Sequence, residues 1–187
     1  MEIKPLIRDA DGMLALRQIL DSELTAVSYR YLPSAEGAEY HGGSDRVDAD
    51  LTAVILELGG RGRRTITWAM EGELEGIAVL GGDAGYAGLA DKTIEAHSRD
   101  GWRRHVGATI TTVGVAWHVS CEDCSESLWA LRLGFTSGSA VVALGALQQD
   151  LEYMPDEIVV VFDPEVARAY RPRHVSESAW GEAIVVE

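Results

Sequence analysis

The chain has few of the features that ordinarily announce a chemistry. Only two cysteines occur in 187 residues, too few for a disulfide framework. Charges or glycines break every apolar segment well short of the length that crosses a bilayer as a helix. The opening MEIKPLIRDADG has no continuous apolar stretch behind a basic start. No secretory signal is therefore read, no membrane partner is expected, and a cytoplasmic address follows as the default. Basic charge is scarce: 16 Lys and Arg stand against 30 Asp and Glu, a formal charge of −14. That balance excludes nucleic acid as the expected partner, because neutralising phosphates needs a basic surface. His-Glu-x-x-His, Gly-x-Ser-x-Gly and the kinase set are all missing. Gly82, Gly85 and Gly88 are spaced like a phosphate loop, yet no Gly-Lys-Ser/Thr follows to open a helix.

What is present is a pattern used twice. Leu24 to Tyr31 alternates like a half-buried strand with Val27, Tyr29 and Tyr31 on one face, and Ile110 to Trp117 repeats it with Val113, Val115 and Trp117. Leu51 to Leu58 likewise matches Leu128 to Phe135. Met13, Leu16, Ile19 and Leu20 form a short helical stripe after Asp9 or Asp11, either of which can cap the helix. The expected fold is α+β and mainly antiparallel. It has about eight strands, as a curved sheet or partial barrel, built from two tandem helix-plus-strands repeats. The repeats span 1–80 and 99–171, joined by a glycine-bearing linker over 81–98 and followed by a polar tail over 172–187, all in one compact unit. Residues 33–49 read as a long loop.

The acidic charge is unevenly distributed. No Lys or Arg lies between Arg64 and Lys92, where Glu71, Glu73 and Glu75 stand, nor between Arg132 and Arg168, where Asp150, Glu152, Asp156 and Glu157 stand. These seven acids are the candidate contacts for a protein partner, a basic one on charge grounds. Solvated surface is the competing reading.

One cluster of reactive side chains stands out: His118-Val119-Ser120-Cys121-Glu122-Asp123-Cys124. Cys-x-x-Cys spacing lets two thiolates reach one zinc ion, with His118 as a third ligand, although a fourth is not evident and no metal is the default expectation. The stretch VGVAWHVSCEDCSESLWALRLGF also resembles the thioredoxin pattern of apolar strand, Cys-x-x-Cys and helix, and Met154-Pro155 before IVVVF resembles that family's proline ahead of a strand. The resemblance covers about a third of the chain. It implies an oxidoreductase with Cys121 as attacking thiol, Cys124 as resolving thiol and Pro155 as the proline. Glu122 and Asp123 depart from it, because negative neighbours disfavour a thiolate.

Three functions are carried forward. The first is a non-catalytic acidic module that binds a protein, in its concrete form an immunity-type neutraliser of a basic effector. The second is a small-molecule binder or enzyme with a pocket between the repeats or inside a curved sheet, lined by Tyr29, Tyr31, Trp68 and Trp117. The third is the thiol oxidoreductase. The sequence does not specify an oligomeric state.

Overall fold

The computed structural model describes residues 3–33, 44–82, 92–145 and 153–184. Asp9 caps the first helix, α1 (Ala10–Arg17), by accepting from the Gly12 amide at 2.8 Å. The chain then runs through β1 (Leu24–Tyr31), β2 (Val47–Leu51), β3 (Ala53–Leu58), β4 (Gly62–Glu71), β5 (Leu74–Gly81) and β6 (Lys92–Glu95). A single helical turn, α2 (Asp100–Arg103), leads into β7 (Thr112–His118), β8 (Ser127–Phe135), β9 (Gly138–Leu144) and β10 (Ile158–Val161). Last come α3 (Pro164–Ala169) and the short β11 (Glu182–Ala183).

The strands pair antiparallel, as the alternation predicts, but they form two sheets rather than one curved sheet or partial barrel. Among the described residues eleven strands, not eight, divide into a five-stranded sheet of order β5-β4-β3-β1-β6 and a six-stranded sheet of order β11-β7-β8-β9-β10-β2. The difference lies in three short strands. Val47–Leu51, assigned to a loop and to the start of one long strand, pairs with β10 instead. The backbone turns at Asp50 (φ 59°) and crosses to the other sheet as β3. A chain that switches sheets at a bend is how corners between packed sheets are made. Lys92–Glu95, assigned to the linker, lies along β1. The tail folds back to place Glu182–Ala183 along Val115 and Gly114.

The two sheets meet where β5 crosses β8. A Cβ at Gly76 would stand 2.9 Å from the Leu128 carbonyl oxygen, so only glycine allows this approach. Residues 3–8 lace the junction: the Leu6 amide donates to the Ile77 carbonyl, and the Leu128 amide donates to that of Leu6, both at 2.8 Å. One apolar core runs through both sheets, including Leu56 and Ile66 from one, Leu131 and Val160 from the other, and Trp102 and Trp129 fully buried. Among the described residues no helix is long and apolar enough to cross a membrane.

The helix that the thioredoxin resemblance requires after Cys124 is absent. Ser127–Phe135 is a strand, paired antiparallel on both sides with β7 and β9. Its buried residues run almost unbroken, as in a central strand covered on both faces, and Trp129, Leu131 and Leu133 are all at 0% exposure. Tertiary pairing therefore removes the fold on which the redox assignment to Cys121, Cys124 and Pro155 rested.

Candidate functional site

Gly72 at φ +63° closes a two-residue hairpin between β4 and β5, leaving Glu71 opposite Leu74 and Glu75 opposite Met70. β5 is an edge strand, and its outward groups at Glu75 are taken up by side chains of the second sheet. The Glu75 amide donates to Ser120 Oγ at 3.1 Å, and its carbonyl accepts from Ser127 Oγ at 2.5 Å and from His118 Nε2 at 3.0 Å. Ser120 also donates to the Glu73 carbonyl at 2.9 Å. Unpaired edge groups invite wrong partners, and here the stretch 118–127 satisfies them. The cluster expected to supply a metal ligand and two thiols is thus the latch between the sheets.

Because a carbonyl only accepts, His118 must carry its proton on Nε2. Its Nδ1 then accepts from His174 Nε2–H, 3.1 Å away. Burial holds the His118 imidazole below its usual range, and a charge on His174 would lower it further. Cys121 and Cys124 are joined to each other as a disulfide. His118 is turned to Glu75 and His174, so the three expected ligands do not converge. Among the described residues no group of three or more His, Cys, Asp or Glu is placed to hold a metal ion.

The disulfide closes so small a loop that chain entropy predicts only about 2 kcal/mol of stabilisation. Reduction of the native protein should therefore lower Tm by about 4–8 °C in calorimetry, with one cooperative transition retained. Complete unfolding under reductant would show that the bond carries the latch alone.

Above this latch the two acid-only stretches of the sequence meet. Glu75 Oε1 accepts from the Trp68 indole at 2.9 Å and from the Tyr153 hydroxyl, and Tyr153 comes from the second stretch. Burial and donation to Glu75 push the Tyr153 phenol well above its ordinary range, so it remains a neutral donor. His174 lies edge-on to the Tyr153 ring, with centroids 5.9 Å apart. Farther along, Asp156 sits in a left-handed turn (φ 67°) next to Glu157. Glu157 is half-buried, and its Oε2 is enclosed without a hydrogen-bond partner. Burial, with Asp50 and Asp156 beside it, pushes Glu157 up to about 7.

The expected partner contacts therefore separate. Glu71 and Glu73 are exposed on the β4–β5 hairpin, Glu71 in an ion pair with Lys4. Glu75 is engaged at the junction, Asp156 and Glu157 form the far end of the acidic face, and Asp150 and Glu152 lie outside the described residues. Sequence reasoning did not find Asp50, Tyr153 or His174, each brought in by pairing across long separations.

The expected pocket aromatics also separate. Tyr29 is buried, donates to Asp48 Oδ2 at 2.7 Å and accepts from the Trp102 indole. Asp48 Oδ1 faces Arg99 at 3.5 Å. Burial raises the Asp48 carboxyl, and Tyr29 and Arg99 oppose that shift. Arg99 in turn lines an open polar cleft of about 330 Å³ with Ser44, Asp45, Ser98 and Asp100. Tyr31 is buried, Trp68 serves Glu75, and Trp117 lies under the Arg8 guanidinium at 5.9 Å. None of the four lines this cleft.

In comparison with known proteins, the chain matches no family model, no curated protein and no solved structure.

Proposed function

We propose that this protein is a non-catalytic acidic module that binds a basic protein, in the manner of a neutraliser of a basic effector. One observation carries the reading: residues from both acid-only stretches adjoin at Glu75–Tyr153, and the acidic face continues through Asp156, Glu157 and Asp50. A half-buried carboxylate without a partner beside two further carboxylates is unfavourable in the free protein. A lysine or arginine from outside, pairing with the exposed Asp50 and Asp156, would relieve that repulsion, so charge complementarity is a source of both rate and specificity. A doubled helix-and-strands unit would suit such a module, and each sheet holds four antiparallel strands in matching order, β1-β3-β4-β5 and β7-β8-β9-β10, although β2 leaves for the other sheet between β1 and β3.

The test leaves Glu75 intact, because Glu75 joins the sheets. Asp50 and Asp156 have left-handed backbone, which asparagine tolerates. The variant is therefore Glu73→Lys with Asp50→Asn, Asp156→Asn and Glu157→Gln. Binding to immobilised basic proteins, including a panel of cationic nucleases and toxins, should weaken by at least tenfold at low salt. Its dependence on salt should flatten. Equal affinity and equal salt dependence for variant and parent would overturn the reading.

A second reading, of a small-molecule site, is favoured by the cleft over Arg99 and Asp48. Its lining is polar and open, unlike the largely apolar enclosure of most ligand pockets, and it ranks second for that reason.

A further inference from the structure

The fold brings two arginines of this acidic protein to one indole, and neither has a carboxylate partner among the described residues. Arg132 lies on β8, and its guanidinium carbon stands 4.3 Å from the centroid of the Trp180 ring. Arg168, in the last turn of α3, stands 4.1 Å from the same centroid. Four separate elements build this arrangement. Arg132 crosses Gly114 of β7, its register partner, and a Cβ there would stand 2.7 Å from Arg132 Nε. The tail that carries Trp180 reaches β7 through Gly181 (φ +66°), where a Cβ would meet the Val115 backbone at 2.7 Å. Glycine at both positions is therefore what admits the guanidinium and the indole.

Several other arginines are paired with carboxylates, whereas Arg61, Arg64, Arg104 and Arg171 donate to backbone carbonyls or to the Gln18 amide oxygen. Arg8 pairs with Glu126, Arg46 with Asp163, Arg63 with Glu57, Arg99 with Asp48 and Arg103 with Asp100. Among the described residues no carboxylate pairs with Arg132 or Arg168. Among the described residues the Arg168 guanidinium hydrogen-bonds only to the Pro164 carbonyl, at 3.5 Å, and Arg132 Nε is enclosed without an acceptor. A single arginine stacked on Trp180 would anchor the tail. A second adds repulsion between like charges in a chain with 30 acids available to separate them. The pair is thus set up for an acceptor that comes from outside.

We propose that Arg132, Arg168 and Trp180 form a binding site for a small oxyanion, a phosphate or a carboxylate. Guanidinium donors are planar forks that match both groups, and hydrogen bonds between charged partners are the strong ones. Arg168 is exposed and Arg132 half-buried, so the ligand enters from the Arg168 side. This site is independent of the acidic face and stands or falls without it.

The test uses the whole protein and follows the Arg132 and Arg168 Nε–H signals and the Trp180 indole by NMR. Inorganic phosphate, malonate and chloride are titrated at constant ionic strength. The expected result is saturable movement of all three signals with phosphate or malonate and none with chloride, and the stronger of the two identifies the oxyanion. Arg168→Gln should weaken binding by about tenfold, the loss of one charged hydrogen-bonding partner. Arg168→Lys, which keeps the charge but not the fork, should weaken it less. Identical, unsaturable shifts with all three salts would overturn the proposal. So would unchanged affinity in both variants, which would leave Trp180 as a tail anchor only.

Discussion

Replacing Tyr29 by phenylalanine should lower the stability of the fold by about 3 kcal/mol at neutral pH, although the change removes one oxygen. That oxygen donates to Asp48 and accepts from Trp102, and all three residues are buried. Without it a buried carboxylate keeps only Arg99, at 3.5 Å, and a buried indole N–H has no acceptor. Each stranded group costs about 1–3 kcal/mol, more when charged. The Asp48 carboxyl is already raised by burial, and the Tyr29 hydrogen bond opposes that rise. Loss of the bond raises it further, so the folded variant holds the Asp48 proton more tightly than the unfolded chain does. Stability from such a group is lost as pH rises. The deficit of Tyr29→Phe should therefore shrink on acidification, and urea denaturation of variant and parent at pH 7 and pH 5 measures it. A deficit below about 1 kcal/mol at both pH values would mean that water replaces the hydroxyl and that the network is not closed.

This network also marks the limit of what the sequence discloses. The alternation of Val27, Tyr29 and Tyr31 is legible because a half-buried strand repeats every two residues, and β1 follows it residue by residue. The same rule misses β2, whose first residues, Asp48 among them, read as loop and whose last, Leu51, reads as the start of the next strand. Asp48 is buried because β2 pairs with β10, more than a hundred residues later, and no local pattern encodes that partner. One sheet or two is likewise decided at Asp50, where the backbone turns, and not by the apolar run that follows.

The candidate site divides in the same way. The acid-only stretches are plain in the sequence, and Tyr153 joins them across 78 positions to Glu75. His118 is legible as a polar side chain at a strand end. Its neighbours in sequence suggest thiol or zinc chemistry, whereas its neighbours in space are the Glu75 carbonyl and His174. Arg132, Arg168 and Trp180 lie in three elements and have no spacing to detect.

Acidification should reveal a second buried group. His105 is fully buried, stacks on Phe135 at 4.5 Å, meets the Trp102 edge and bonds Ser137 Oγ through Nδ1 at 2.8 Å. Its Nε2 is enclosed without a partner, a bare lone pair at tolerable cost that becomes a stranded N–H on protonation. Burial, and secondarily Arg104, hold it down to about 4 against an ordinary 6.5. The unfolded chain thus takes up a proton first, and the stability contributed by neutral His105 is lost as pH falls from 6.5 towards 4. From pH 7 to pH 5 that loss is about 2 kcal/mol. His118, also lowered, acts in the same direction. Glu157 acts in the opposite one: raised to about 7 from 4.5, it stabilises the fold as pH falls through that window. The slope of the parent protein is therefore a near-cancelling sum, and the informative quantity is a difference between variants. His105→Phe keeps the stack on Phe135 and removes the titration, so it should lose about 2 kcal/mol less than the parent between pH 7 and pH 5. Glu157→Gln should steepen the acid loss. Parallel pH profiles for the parent and His105→Phe would show that His105 ionises in place, and that the interior around Phe135 admits water.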